Sequence, residues 1–115
     1  MADILWVENN ARFLMAVRNL FLQGHSSTVV GNLADARKLL AERAFDVILL
    51  DYDLDDGKGD ALLADIDKLV PPPVVIAISS HDRGNDAIMA AGADTICSKT
   101  KFANIDAVVA RYLAL

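Results

Sequence analysis

The sequence predicts a doubly wound α/β domain: a five-stranded parallel sheet in the order 2-1-3-4-5 with five flanking helices. Three observations carry that reading. Short apolar runs alternate with longer stretches of helical period along the whole chain. Three of those runs are continuously apolar, the pattern of strands buried on both faces of a parallel sheet. The chain has 115 residues, 54% of them apolar, which suits one core and one domain of about 100–200 residues. The expected organisation is therefore a single domain over residues 1–115.

The elements follow in order. The expected strands are Ile4–Val7, Thr28–Val30, Val47–Leu50, Val74–Ile78 and the weaker Thr95–Cys97. Between them, Phe13, Val17, Leu20 and Phe21 share one helical face, and Leu33, Ala36, Leu39 and Leu40 share another. A third stripe joins Leu62, Leu63, Ile66, Leu69 and Val70, and a last one joins Ile105, Val108, Val109, Tyr112 and Leu113. Each keeps the i, i+3, i+4, i+7 spacing of an amphipathic helix. The alanine-rich segment Asp86–Ala91 supplies the remaining helix. Asn10 and Asn32 are placed to cap helices, and Gly24 and Gly92 to end them. Pro71, Pro72 and Pro73 stop a helix and lead into the fourth strand as a turn. Right-handed crossovers between five such repeats give the flavodoxin-like order.

Composition narrows the function. Eleven basic residues stand against sixteen acidic ones, for a net charge of −5. Nucleic acid and anionic lipid both attract a basic face, so neither is an expected partner. A single cysteine, Cys97, excludes an internal disulfide and a cysteine-based zinc site, and reads as a small buried apolar residue. No run reaches the ~20 apolar residues of a membrane helix, and the start of the chain has no signal-peptide pattern. A soluble, cytoplasmic protein is expected.

In this fold, ligands bind beyond the carboxyl ends of the strands. Glu8, Asn9 and Asn10 follow the first strand, and Asp51 to Gly57 the third. Ser79, Ser80, His81 and Asp82 follow the fourth, and Ser98, Lys99 and Thr100 the fifth. One sheet edge thus gathers carboxylates, a hydroxyl and an ammonium. Two like charges 4 Å apart repel by about 4 kcal/mol at an effective dielectric of 20, so Glu8 and Asp51 need counter-charge. Lys99 supplies one positive charge. Mg²⁺ would supply two, and it takes one or two carboxylates plus waters and a phosphate. Such a site is equipped to accept a phosphoryl group, a transfer governed by positioning and charge neutralisation.

At these residues the chain resembles the receiver domain of two-component response regulators. Val7-Glu8-Asn9-Asn10 is similar to the acidic turn after the first strand, and Phe45 to Asp51 to the strand leading to the phosphoacceptor. Gly59, eight residues after Asp51, falls where receivers have a glycine. Ala77-Ile78-Ser79-Ser80 resembles the strand that ends in the hydroxyl residue, and Ala91-Gly92-Ala93-Asp94 with Lys99 resembles the fourth-helix end and the family's lysine. The resemblance implies that Asp51 accepts the phosphoryl group from a phosphohistidine. It implies a metal site made by Glu8, Asn9, Asp51 and the backbone carbonyl of Asp53, with Mg²⁺ as cofactor. Lys99 would pair with the phosphoryl oxygens and Ser79 would move to hydrogen-bond them. Ile96 occupies the second switch position. His81 and Asp53 border the site as modulators. The implied partners are a histidine kinase or a histidine phosphotransfer protein, a downstream protein target at the face of the fourth helix, fifth strand and fifth helix, and a second copy of the chain.

Four positions depart from that pattern: Asn9 replaces the second acid, Asp55 and Thr100 stand where proline is usual, and Ile96 replaces an aromatic residue. Asn9 and Thr100 motivate an alternative, a degenerate pseudo-receiver that binds proteins without phosphoryl transfer. A less favoured alternative is a haloacid-dehalogenase-like phosphatase, whose nucleophile motif Asp51-Tyr52-Asp53 resembles. In that family the motif ends the first strand and an acidic pair follows the lysine. Here it ends the third strand, and only Asp106 follows.

Overall fold

The computed structural model describes residues 1–114 and contains the expected sheet. β1 (Asp3–Val7), β2 (Ser26–Val30), β3 (Val47–Leu50), β4 (Val74–Ala77) and β5 (Thr95–Ile96) are all parallel, in the order 2-1-3-4-5. The helices are α1 (Ala11–Val17), α2 (Leu33–Glu42), α3 (Leu63–Ile66), α4 (Asp82–Ala90) and α5 (Ile105–Leu113). A small antiparallel hairpin, Asp53–Leu54 with Gly57–Lys58, projects after β3.

The alternation of side chains along each strand makes two cores. Leu5, Val7, Ile48, Leu50, Val75 and Ala77 face α2, α3 and α4. Ile4, Trp6, Val47, Leu49, Ile76 and Ile78 face the other way, under α1 and α5. Burying a side chain of this size stabilises the fold by about 1.5–3 kcal/mol. Trp6 stacks on Phe102 with ring centroids 5.4 Å apart and takes the edge of Phe13 at 6.4 Å.

Register decides the site. Val7 pairs with Leu50, Leu50 with Ala77, and Ala77 with Ile96, so four strands end in one row. The parallel ladder continues one step beyond the row: Asp51 N–H donates to the Val7 carbonyl (3.0 Å) and Glu8 N–H to that of Val30 (2.8 Å).

Several boundaries differ from expectation. β2 begins two residues early, at Ser26, and β4 and β5 each end one residue early. α4 begins at Asp82, four residues before the alanine-rich segment. Asn10 and Asn32 cap as expected, accepting from Phe13 N–H (3.0 Å) and Asp35 N–H (2.7 Å). Gly92, at φ +121°, follows α4. Gly24 does not end α1. The helix stops at Val17, and the chain reverses through Leu22, at φ 64°. Leu22 is held there by burial in the second core and by donating its N–H to Asp106 Oδ1 (2.8 Å). Leu20 is consequently exposed. The third stripe makes a 3₁₀ turn, Gly59–Leu62, and the single turn of α3. Pro71 disfavours helical backbone at the residue before it, and Val70 is 95% exposed.

Gly59 is fixed by close approach: a Cβ there would lie 1.9 Å from the Asp51 carbonyl oxygen. Gly24 has open space around it. Gly59→Ala is therefore expected to destabilise the fold by about 3 kcal/mol or more, while Gly24→Ala is expected to be neutral or to stabilise by up to about 1 kcal/mol. Urea unfolding of the two variants checks the contrast.

Candidate functional site

The aligned strand ends bring Glu8, Asp51 and Lys99 into direct contact. Glu8 is 1% exposed and Asp51 is buried. The Lys99 side chain, 12% exposed, enters from the loop after β5. Its Nζ donates to Asp51 Oδ2 (3.1 Å) and to Glu8 Oε2 (3.0 Å). Nζ also lies 2.9 Å from Glu8 Oε1, an ion-pair contact without hydrogen-bond geometry, so the buried Oε1 accepts no hydrogen bond. Two backbone N–H groups complete the anchoring: Asn10 N–H donates to Glu8 Oε2 (2.9 Å) and Tyr52 N–H to Asp51 Oδ1 (2.8 Å). The ammonium also sits 4.9 Å from the Phe13 ring centroid, which gives it an apolar wall.

The electrostatics follow from crowding two carboxylates around one ammonium away from water. Burial pushes the Glu8 carboxyl up to about 7, with the Asp51 charge adding to it and the Lys99 hydrogen bond opposing it. On the exposed rim, the Lys58 ammonium pairs with Asp53 and holds its carboxyl below the usual range. His81 Nε2 lies 3.5 Å from Asp53 Oδ2.

Ser79 is buried at the same edge; its carbonyl accepts from Lys99 N–H (3.4 Å), while its hydroxyl makes no hydrogen bond to the charged side chains. Its backbone is clamped by Asn85, a buried residue of α4: Asn85 Oδ1 accepts from Ser79 N–H (2.8 Å), and Nδ2 donates to the Ser79 carbonyl (2.9 Å). Ser79 Oγ accepts from His81 N–H (3.2 Å), leaving the hydroxyl proton available. Gly84 makes room for it, since a Cβ there would lie 2.7 Å from Ser79 Oγ. Ser98 Oγ ties the Lys99 loop to the same carbonyl (3.2 Å) and accepts from Thr100 N–H (3.4 Å), a donor that proline lacks.

Asn9 is exposed, and its Nδ2 donates to Asp55 Oδ1 (2.9 Å). Among the described residues, no group of three or more histidine, cysteine or acidic side chains is placed to hold a metal ion. The site instead offers two carboxylates, of which Glu8 keeps Oε1 free of hydrogen bonds, and the neutral amide of the adjacent Asn9. That set suits Mg²⁺, a hard cation that takes one or two carboxylates and completes its shell with water and phosphate. Ile96, 39% exposed, borders a cavity of ≈ 510 Å³ between α4, β5 and α5, lined also by Ser80, Asp86, Lys101 and Val108.

Sequence reasoning located Glu8, Asp51, Ser79 and Lys99, named Ser98 and Asp55 without giving either a part in the site, and missed Asn85. Asn85 lies one residue before the expected helix Asp86–Ala91, and a lone asparagine there carries no sequence signal of the burial it has in the fold.

A family model described as "Response regulator receiver domain" matches residues 4–110. The chain belongs to that family. It is a receiver domain of two-component signalling. Over 85 residues it is 32% identical to the hydrogenase transcriptional regulatory protein HoxA of Bradyrhizobium diazoefficiens, covering 74% of this chain and 18% of that regulator. Among solved structures, the BeF₃-activated DrrB receiver domain matches all of this receiver domain and 99% of its own chain, at 26% identity and a TM-score of 0.83. The receiver domain of the sensor histidine kinase PA1611 from Pseudomonas aeruginosa PAO1, which holds a magnesium ion in its active-site cleft, shares the fold at a TM-score of 0.84 and 24% identity, over 99% of this chain and 98% of its own. No helix among the described residues is long and apolar enough to cross a membrane.

Two outcomes are expected from this geometry. The raised carboxyl of Glu8 means that the folded state holds a proton which the unfolded chain has released above its ordinary value of 4.5. Stability without divalent cations should therefore fall as pH rises from about 4.5 to about 7 and level off above. Glu8→Gln should flatten that segment of the profile, read as urea midpoints from pH 5 to 8. Asn85→Ala should strand the Ser79 N–H, while the carbonyl keeps Ser98 Oγ, costing roughly 1–3 kcal/mol in equilibrium unfolding.

Proposed function

We propose that this receiver domain accepts a phosphoryl group from a phosphohistidine on Asp51. The observation that carries the proposal is the buried trio, in which one ammonium bridges the would-be nucleophile and a second carboxylate. An Asp51 carboxylate oxygen attacks phosphorus, the new O–P bond forms as the N–P bond breaks, and the imidazole leaves. Tyr52 N–H holds Asp51 Oδ1, which orients the carboxylate before attack. Lys99 Nζ passes from Asp51 Oδ2 to the incoming phosphoryl oxygens. The Ser79 hydroxyl, with its proton unspent, donates to a phosphoryl oxygen and moves toward it. Glu8, Asn9, Asp51 and the Asp53 carbonyl would hold Mg²⁺, which supplies positive charge to the phosphoryl oxygens when bound.

The donor is a histidine kinase or a histidine phosphotransfer protein, in the cytoplasm, and residues 1–115 act as one domain. Phosphorylation shifts an existing equilibrium between two conformations, with Ser79 and Ile96 as the moving residues. The output leaves through the face of α4, β5 and α5 to a protein target or a second copy, and not to nucleic acid or membrane. His81 and Asp53, paired at the rim, set access to the bound phosphoryl group. The neutral Asn9 favours a second reading, a pseudo-receiver that keeps the fold as a binding module.

One experiment separates the two. Incubation with acetyl phosphate or beryllofluoride, with and without Mg²⁺, is followed by intact mass and Trp6 fluorescence. Trp6 reports because it touches Phe13, on whose ring Lys99 rests. The expected result is a Mg²⁺-dependent mass gain with acetyl phosphate, abolished in Asp51→Asn, and a saturable fluorescence response to beryllofluoride. Labelling of Asp51→Asn at the wild-type level sinks the assignment of Asp51. Silence with both donors selects the pseudo-receiver.

A further inference from the structure

Two departures from the receiver pattern touch each other. Asn9 replaces an acid, Asp55 stands where proline is usual, and they meet through a 2.9 Å hydrogen bond across 46 positions of sequence. Neither serves as a helix cap. Asn10 caps α1, and Asp56 accepts from Leu33 N–H (2.7 Å) and Ala34 N–H (3.0 Å) at the start of α2. Those two bonds also fix the turn that carries Asp55, between the arms of the hairpin.

A carboxylate only accepts, so the Asn9 atom facing Asp55 is necessarily the amide nitrogen. The amide flip is thereby set: Oδ1 is the branch turned away from Asp55. That branch is also the one able to ligate a hard cation.

We propose that Asp55 is a positioning residue for the cation site: it locks Asn9 with its oxygen presented as a neutral ligand and restores, one hydrogen bond behind it, the negative charge that asparagine lacks. The inference rests on the Mg²⁺-dependent reading above. Asn9 and Asp55 then form one unit carrying one charge. Asn9→Asp alone does not rebuild an acidic pair, because it sets a second acceptor against Asp55 where a donor was.

The test is a cycle of Asp55→Ala, Asn9→Asp and the double variant. Both residues are exposed, so the variants keep the fold. Mg²⁺ affinity is measured by titration calorimetry, and the Asn9 side-chain amide is followed by ¹H–¹⁵N spectra without metal. Asp55→Ala should weaken Mg²⁺ binding about tenfold, the scale on which partners of metal ligands act, and should shift the Asn9 amide resonances with no metal present. Asn9→Asp should tighten binding less than about threefold alone and about tenfold or more in the Asp55→Ala background. Additive effects, unmoved Asn9 resonances, or unchanged affinity in Asp55→Ala each overturn this inference while leaving the cation site standing. A wild type that binds no Mg²⁺ at millimolar concentration overturns both.

Discussion

The Lys99 ammonium between Glu8 and Asp51 is the contact on which the rest of the arrangement turns. Its three members come from the ends of β1 and β3 and the loop after β5, and no two are near in sequence. The trio holds two carboxylates and one ammonium, so at full ionisation it keeps an excess negative charge in a place that water barely reaches. Removing one partner of such a buried set leaves an uncompensated charge. Burial raises the Glu8 carboxyl, and the neighbouring Asp51 charge adds to that rise. A site that lacks positive charge when empty is one that gains most from a cation.

Around that trio the fold relies on close approach more than on bulk. Gly59 lets the chain after the hairpin press against the Asp51 carbonyl, and Gly84 lets α4 descend onto Ser79 and Tyr52. Asn85 then fastens Ser79 by both of its backbone groups. Ser79 is thus held firmly by its backbone while its hydroxyl proton stays uncommitted. Thr100, a departure from the family pattern, uses its N–H to bind Ser98 and so belongs to the same bracing.

Much of this was legible in the sequence because strand burial is written in continuous apolar runs. Val47–Leu50 has no polar interruption, and the first charged residue after it, Asp51, marks the sheet edge. The same logic found Glu8, Ser79 and Lys99. What stayed hidden depends on three-dimensional proximity with no periodic trace. Asn85 clamps a residue six positions away from a different element, and Asp55 meets Asn9 across 46 positions. The third helix read too long because its apolar spacing continues through Leu69, while Pro71 acts on the backbone before it. Leu22 defeats the expectation that glycine makes the reversal after α1, since tertiary burial outweighs its backbone preference.

The row in which Val7, Leu50, Ala77 and Ile96 end together also governs how the chain can change length. Side chains alternate between the two faces, so one inserted residue inside β1 or β3 would turn every later position of that strand over. Glu8 or Asp51 would then leave the edge where Lys99 waits. The opposite end of the sheet carries no such constraint. There, the reversal around Gly24, the approach to β3 near Ala44 and the Pro71–Pro73 turn can lengthen without disturbing the row. Insertions and deletions among related chains should therefore collect at the amino ends of the strands, and the carboxyl ends should keep their spacing.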